Sequence, residues 1–363
     1  MSERSREQVV YVASGSGAVL VFAVEPTTGK LSPRGQTHAG QCPSFVAFHP
    51  KRPLAYAIDE QGAAVRSFEV VHDEGGRLRQ IGCVGSGGEG PAYVSIDRSG
   101  KVAFVANYAG GTVAVFAISE SGALQPPTQV VKAGKHPHSI AADVQNRRVS
   151  VPVLGEDVVL QYAFDPVRGL LEPALVPRTN APAGTGPRHI DFHPTLPVAY
   201  VVHEHSSQLT AYGVGSDGAF RDLVTLSTLP GGLAHPGNTG SDVHVAPSGR
   251  FLYASNRGHD SIASFALDAD GVPSPLAHSP TMGSTPRNFC LVEASGGAAL
   301  LLVANLRSDS VTTFSVDQAS GALTPLSTTN GIPKPFWIGA ARDAGRAGRE
   351  GRAGTVERAR RAA

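Results

Sequence analysis

Arg188, His189, His193, His203, Glu204 and His205 all fall within TGPRHIDFHPTLPVAYVVHEHSSQLTAY, residues 185–212, which holds four of the chain's thirteen histidines. A carboxylate or an imidazole can carry a proton between water and a leaving oxygen. A guanidinium offers a planar fork of donors to a carboxylate, a phosphate or a developing oxyanion. Together these residue types suit acid–base chemistry on a substrate that carries negative charge or acquires it during reaction. They are mounted on two short alternating apolar segments, PRHIDF and VAYVV, and so must be positioned by β-strands.

The elements that carry them recur along the chain. A short strand opened by proline, a turn, an apolar strand, a polar loop and a third strand appear from residues 43, 91, 137, 187, 241 and 286. Extensions such as GKLSPRGQTH and GALTPLSTT read as a fourth, outer strand. Four strands in each unit of this length describe a propeller blade, not a helical solenoid, whose apolar period would be 3.6 residues. Six copies are complete. The ends supply a seventh, because PFWIGAARD (335–343) reads as a first strand and VVYVASGSGAVLVFAV (9–24) as the second and third. The expected fold is therefore all-β: one seven-bladed β-propeller over residues 9–343, its ring closed by a blade shared between the two ends of the chain, which removes open sheet edges. Residues 344–363 hold six arginines and almost no large apolar group. They are expected to form a solvated, disordered tail.

In a blade of antiparallel strands the start of the first strand lies beside the end of the second. The slot after the strand-opening proline holds Ser44, Ala92, His138, Arg188 and Arg287, and the slot at the end of the second strand holds Glu60, Tyr108, Leu154, Glu204, Arg257 and Leu306. Arg188 and Glu204 are thus neighbours, with His138 one blade before and Arg257 one blade after, all at one mouth of the central channel. Glu204 and His138 are expected to move protons, Arg188 and Arg257 to bind charge, and His136 and His244 to touch substrate. Glu60 shares the Glu204 slot but faces Ser44 instead of an arginine. His193 precedes Pro194 as His49 precedes Pro50, so it belongs to the turn of the repeat. Asn107, Asn256 and Asn305 recur one residue earlier, where an amide can bond a turn.

Composition excludes several other functions. A formal net charge of +1 and 17% charged residues provide no field for nucleic acid. No run of eighteen apolar residues and no leader-like start is present, so no membrane partner is expected and the cytoplasm is the expected location. Cys42, Cys83 and Cys290 are too few and too widely spaced for a disulfide or metal framework, and read as reduced thiols in small buried positions. The chain lacks G-x-S-x-G, H-E-x-x-H, C-x-x-C and a phosphate-cradling glycine loop, so neither a metal nor a cofactor is expected.

GTGPRHIDFHP (184–194), SGRFLYASNRGHDSIASF (248–265), STPRNF (284–289) and HPHS (136–139) together resemble the lactonase family of seven-bladed propellers. That family includes bacterial 6-phosphogluconolactonase and the fungal 3-carboxy-cis,cis-muconate lactonizing enzyme. The resemblance implies a site built from a His, two Arg and a Glu at one channel mouth, carried here by His138, Arg188, Arg257 and Glu204. It implies a small-molecule lactone substrate and, first, hydrolysis of a sugar lactone such as 6-phosphogluconolactone. A lactonizing enzyme of the muconate type would use the same residues to bind carboxylates and move a proton. A propeller acting only as a binding platform would need exposed apolar or aromatic residues on its rim, and the sequence shows few there.

Overall fold

The segment VAFVAN has no polar face, and its packing gives the reason. Val102, Phe104 and Ala106 enter one apolar cluster with residues of the following repeat, including Ile140 and Val151. Ala103 and Val105 point the other way, into a cluster with Leu54, Tyr56 and Ile58 of the preceding repeat. Val198–His203 is divided in the same manner, with Val198, Tyr200 and Val202 on one side and Ala199 and Val201 on the other. Successive side chains of a strand face opposite ways, so a strand sandwiched between two sheets must be apolar throughout.

The computed structural model describes residues 8–72, 75–232, 235–293, 297 and 299–341. They form seven four-stranded antiparallel sheets. Blades 2 to 7 cover residues 43–85, 91–132, 141–180, 187–227, 239–280 and 286–330, each running from inner to outer strand. Blade 1 takes its inner strand, Pro335–Gly339, from the far end of the chain and pairs it with Gln8–Ser14. Ser14 Oγ also donates to Pro333 O, 319 residues away in sequence. One apolar cluster fills each of the seven gaps between consecutive blades, so the core is a ring of slabs around a channel. Outer strands such as Leu31–His38 are almost wholly exposed and polar.

Neighbouring blades are also clasped at their rims. Tyr11, Tyr56, Tyr200 and Tyr253, each on a second strand, donate their hydroxyls to Gly76, Gly122, Gly271 and Gly321 of the next blade at 2.8, 2.9, 2.6 and 3.0 Å. Gly321 shows why the acceptor is glycine: its φ is +74° and a Cβ there would lie 2.4 Å from the Phe251 ring.

Two expectations are corrected. The inner strand of blade 4 is reduced to Ala141–Ala142 and an isolated Pro137–Val153 bridge, beside which His138 N–H still donates to Pro152 O. Cys83 is exposed, and Cys42 and Cys290 are half-buried, so the thiols are not uniformly interior; all three are free. The arginine-rich tail lies outside the described residues. No helix among those described is long and apolar enough to cross a membrane.

Candidate active site

The site begins with a repeated irregularity. The first-strand ladder shifts register between Pro43 and Phe45, Pro91 and Tyr93, Pro187 and His189, and Pro286 and Asn288. Each shift expels the intervening residue, Ser44, Ala92, Arg188 or Arg287, from regular pairing. A bulge re-aims a side chain, and here four blades turn theirs to the same mouth. In blade 6 the shift falls between Gly240 and Val243, which frees Ser241 and Asp242.

Glu204 stands at the centre. Its Oε2 accepts from Arg188 Nε at 2.8 Å and lies 3.0 Å from Arg257 Nη2. Burial alone would raise its pKa, but the two guanidiniums outweigh burial and hold the carboxyl below the usual glutamate range. It is a carboxylate at neutral pH. Arg188 is 1% exposed. Burial, with Arg257 beside it, lowers its pKa, but Glu204 keeps it charged. Arg257 further donates to Gly240 O at 3.1 Å, while its Nε is buried without a partner.

Beneath this pair runs a second polar layer. Arg188 Nη1 lies 3.1 Å from His189 Nε2, and His189 Nδ1 lies 2.7 Å from Asp242 Oδ1. A guanidinium can only donate, so His189 Nε2 must accept, and the proton sits on Nδ1 facing Asp242. The imidazole is neutral: burial, then the charge of Arg188, push its pKa down to about 4. Asp242 also accepts from His244 Nε2 at 3.1 Å and from Asn288 Nδ2 at 2.5 Å. Although burial opposes ionisation, His244 and His189 hold this carboxyl far below the ordinary aspartate range. His244 is the charged member. Burial would lower its pKa, but Asp242, then Asp191 3.8 Å from its Nδ1, push it up to about 10.

The expected site residues are therefore placed in two groups. His138, Arg188, Glu204 and Arg257 come together at the mouth. The His138 ring lies 5.2 Å from that of His189 and 5.4 Å from that of Tyr108. Burial, then Arg188, hold His138 neutral, and its buried Nδ1 has no protein partner. His136, at φ +62°, stacks on Tyr108 at 4.3 Å and forms part of the wall. His244 is not at the mouth: it stands two residues beyond Asp242 on the inner strand, with both nitrogens turned to carboxylates. His193 and His49 bond Gly249 O and Gly100 O of adjacent blades, and Asn107, Asn256 and Asn305 bond the carbonyls of Ser86, Thr228 and Thr281. His203 lies buried against the Thr210 hydroxyl, and His205 is exposed.

The sequence reading missed Tyr108, His189 and Asp242 as parts of the site and left Arg287 without a role. It also described the rim as poor in aromatic residues, whereas half-buried Tyr108 and Phe336 line it. The available signals were the shared slot of Arg188 and Arg287 and the D-x-H spacing of Asp242 and His244. Among the described residues no group of three His, Cys, Asp or Glu side chains is arranged to hold a metal.

A family model described as "Lactonase, 7-bladed beta-propeller" matches residues 9–340. The chain belongs to this lactonase family. A 6-phosphogluconolactonase of Sodalis glossinidius is 30% identical, the match covering 92% of this chain and 98% of the relative. One from Bacillus subtilis is 31% identical over 90% and 95% of the two chains. Among solved structures, the periplasmic gluconolactonase of Pseudomonas aeruginosa has a TM-score of 0.82 at 27% identity, covering 92% of this lactonase and 99% of that chain.

Proposed function

We propose that this protein hydrolyses the internal ester of a sugar lactone at the channel mouth, with 6-phosphogluconolactone as the leading substrate. The observation that carries the reading is Glu204 held ionised between two guanidiniums, beside a neutral histidine with an unpartnered nitrogen. The names of the relatives favour hydrolysis over lactone formation. Three free cysteines fit a reducing compartment, and the cytoplasm is part of the same proposal.

The Glu204 carboxylate takes a proton from water as the water oxygen bonds to the lactone carbonyl carbon. The carbonyl oxygen becomes an oxyanion, which Arg257 or Arg188 stabilises without rearrangement because Glu204 already orients both. The tetrahedral intermediate then breaks its ring C–O bond, and the leaving oxygen takes the proton from Glu204. The product is an open-chain hydroxy acid, which ionises and releases a proton.

Acid release from 6-phosphogluconolactone, glucono-δ-lactone and a carboxymuconate, measured with the purified protein and with Glu204→Gln, tests the reading. Turnover of a sugar lactone that collapses in the variant is expected. Lactone formation from the muconate alone would replace hydrolysis with the reverse chemistry.

A further inference from the structure

Three guanidiniums converge on the mouth, and two of them are answered by one carboxylate. Arg188 and Arg257 share Glu204. Arg287, expelled from its ladder by the blade 7 bulge, makes no side-chain hydrogen bond and no ion pair among the described residues; its guanidinium lies 5.5 Å over the Phe336 ring. Burial and the charge of Arg257 lower its pKa, and Glu60 and Glu204 act against them from a distance. An arginine beside another arginine, with no carboxylate at contact, is a site that lacks its counter-ion.

We infer that Arg287 is the anion clamp of this site, binding the phosphate that the substrate carries away from its lactone carbon, and so selecting phosphorylated over neutral sugar lactones. Phosphate is favoured over carboxylate because a phosphate monoester brings close to two negative charges to the Arg287 guanidinium, which already feels the positive charge of Arg257, whereas a carboxylate brings one. The inference rests on the lactonase reading for what the clamp serves, and deepens it by naming the residue that sets substrate class.

The test is Arg287→Met, which keeps side-chain length and cover over Phe336. Hydrolysis of 6-phosphogluconolactone and glucono-δ-lactone is compared in wild type and variant, and binding of 6-phosphogluconate and gluconate is measured by calorimetry. The expected result is a fall of about 100-fold in kcat/KM for the phosphorylated lactone, mainly through KM, with a far smaller change for the neutral one. The preference for binding 6-phosphogluconate over gluconate should disappear together with it. Equal losses on both lactones, or a phosphate preference that survives in the variant, would overturn the inference. If wild type hydrolyses neither lactone, the lactonase reading fails, and the calorimetric preference alone decides whether Arg287 is an anion clamp.

Discussion

His189 donates its Nδ1 proton to Asp242 Oδ1 across 2.7 Å, and this bond between neighbouring blades turns His189 Nε2 toward Arg188. Asp242 meets only donors: His189 and the Val243 amide on one oxygen, His244, Asn288 and the Phe289 amide on the other. Asp242→Asn must therefore aim an amide N–H at another donor whichever way it rotates. Loosening of His189 and then Arg188 should lower kcat/KM by about 10–100-fold, the range typical of lost supporting contacts. Unchanged turnover by a folded Asp242→Asn protein would remove the His189–Asp242 pair from the positioning of Arg188.

Glu204→Gln keeps size and hydrogen bonding but removes proton transfer. Its kcat should fall on the order of 10²–10⁴-fold with little change in KM. Glu60→Gln, in the same slot of blade 2, should leave kcat within about two-fold, because the reaction is not expected to use that carboxylate. A crippled Glu60→Gln beside an active Glu204→Gln would put the chemistry in another blade.

The acid limb of kcat/KM against pH reports the base of the free enzyme. Arg188 and Arg257 lower the Glu204 pKa from its ordinary 4.5. The group works deprotonated, so activity should persist as pH falls through 4.5 and decline only below it. Arg257→Met, with one cation removed, should move that limb upward. A limb near 6.5 in wild type would instead assign the base to a histidine.

His244 supplies a stability test with a definite sign. Its pKa rises from 6.5 to about 10 on folding, so the folded state binds its proton more tightly than the unfolded chain does. That contribution is complete below pH 6.5 and is lost as pH rises through about 10. His244→Gln should lower Tm most near pH 6, and the gap to wild type should narrow by about pH 10. A gap that widens with pH would show that His244 is neutral in the fold.

The tyrosine clasps predict a local cost without loss of fold. Tyr200→Phe leaves Gly271 O without its 2.6 Å donor and should destabilise by about 1–2 kcal/mol. Denaturant titration should show a lower midpoint with an unchanged slope.

The blades and the closure between chain ends were legible because both rest on local signals: period-two apolar runs, strand-opening prolines and recurring turn residues. The meeting of Arg188 with Glu204 followed from hairpin geometry within a single blade. The second layer did not, since His189, Asp242 and Asn288 meet only after bulges in three blades have shifted their registers. Arg287 was visible as a position, but its lack of a counter-ion is a property of everything around it. Blade 4 misled because HPHSIAAD looks like its counterparts, while regular pairing of its inner strand is confined to Ala141–Ala142 and the Pro137–Val153 bridge.

Blade 1 also fixes an order of assembly. Its inner strand, Pro335–Gly339, is among the last described segments to leave the ribosome, whereas Gln8–Ser14, which pairs with it, is the first. Phe336, the platform beneath Arg287, arrives with that late strand. A nascent chain can stack six blades one upon another while the seventh waits as a three-stranded sheet with one edge bare. The mouth is therefore incomplete until the final strand threads home. Catalytic competence should appear as a late, slow event in refolding, after most β-structure has formed, at a rate governed by joining segments more than three hundred residues apart.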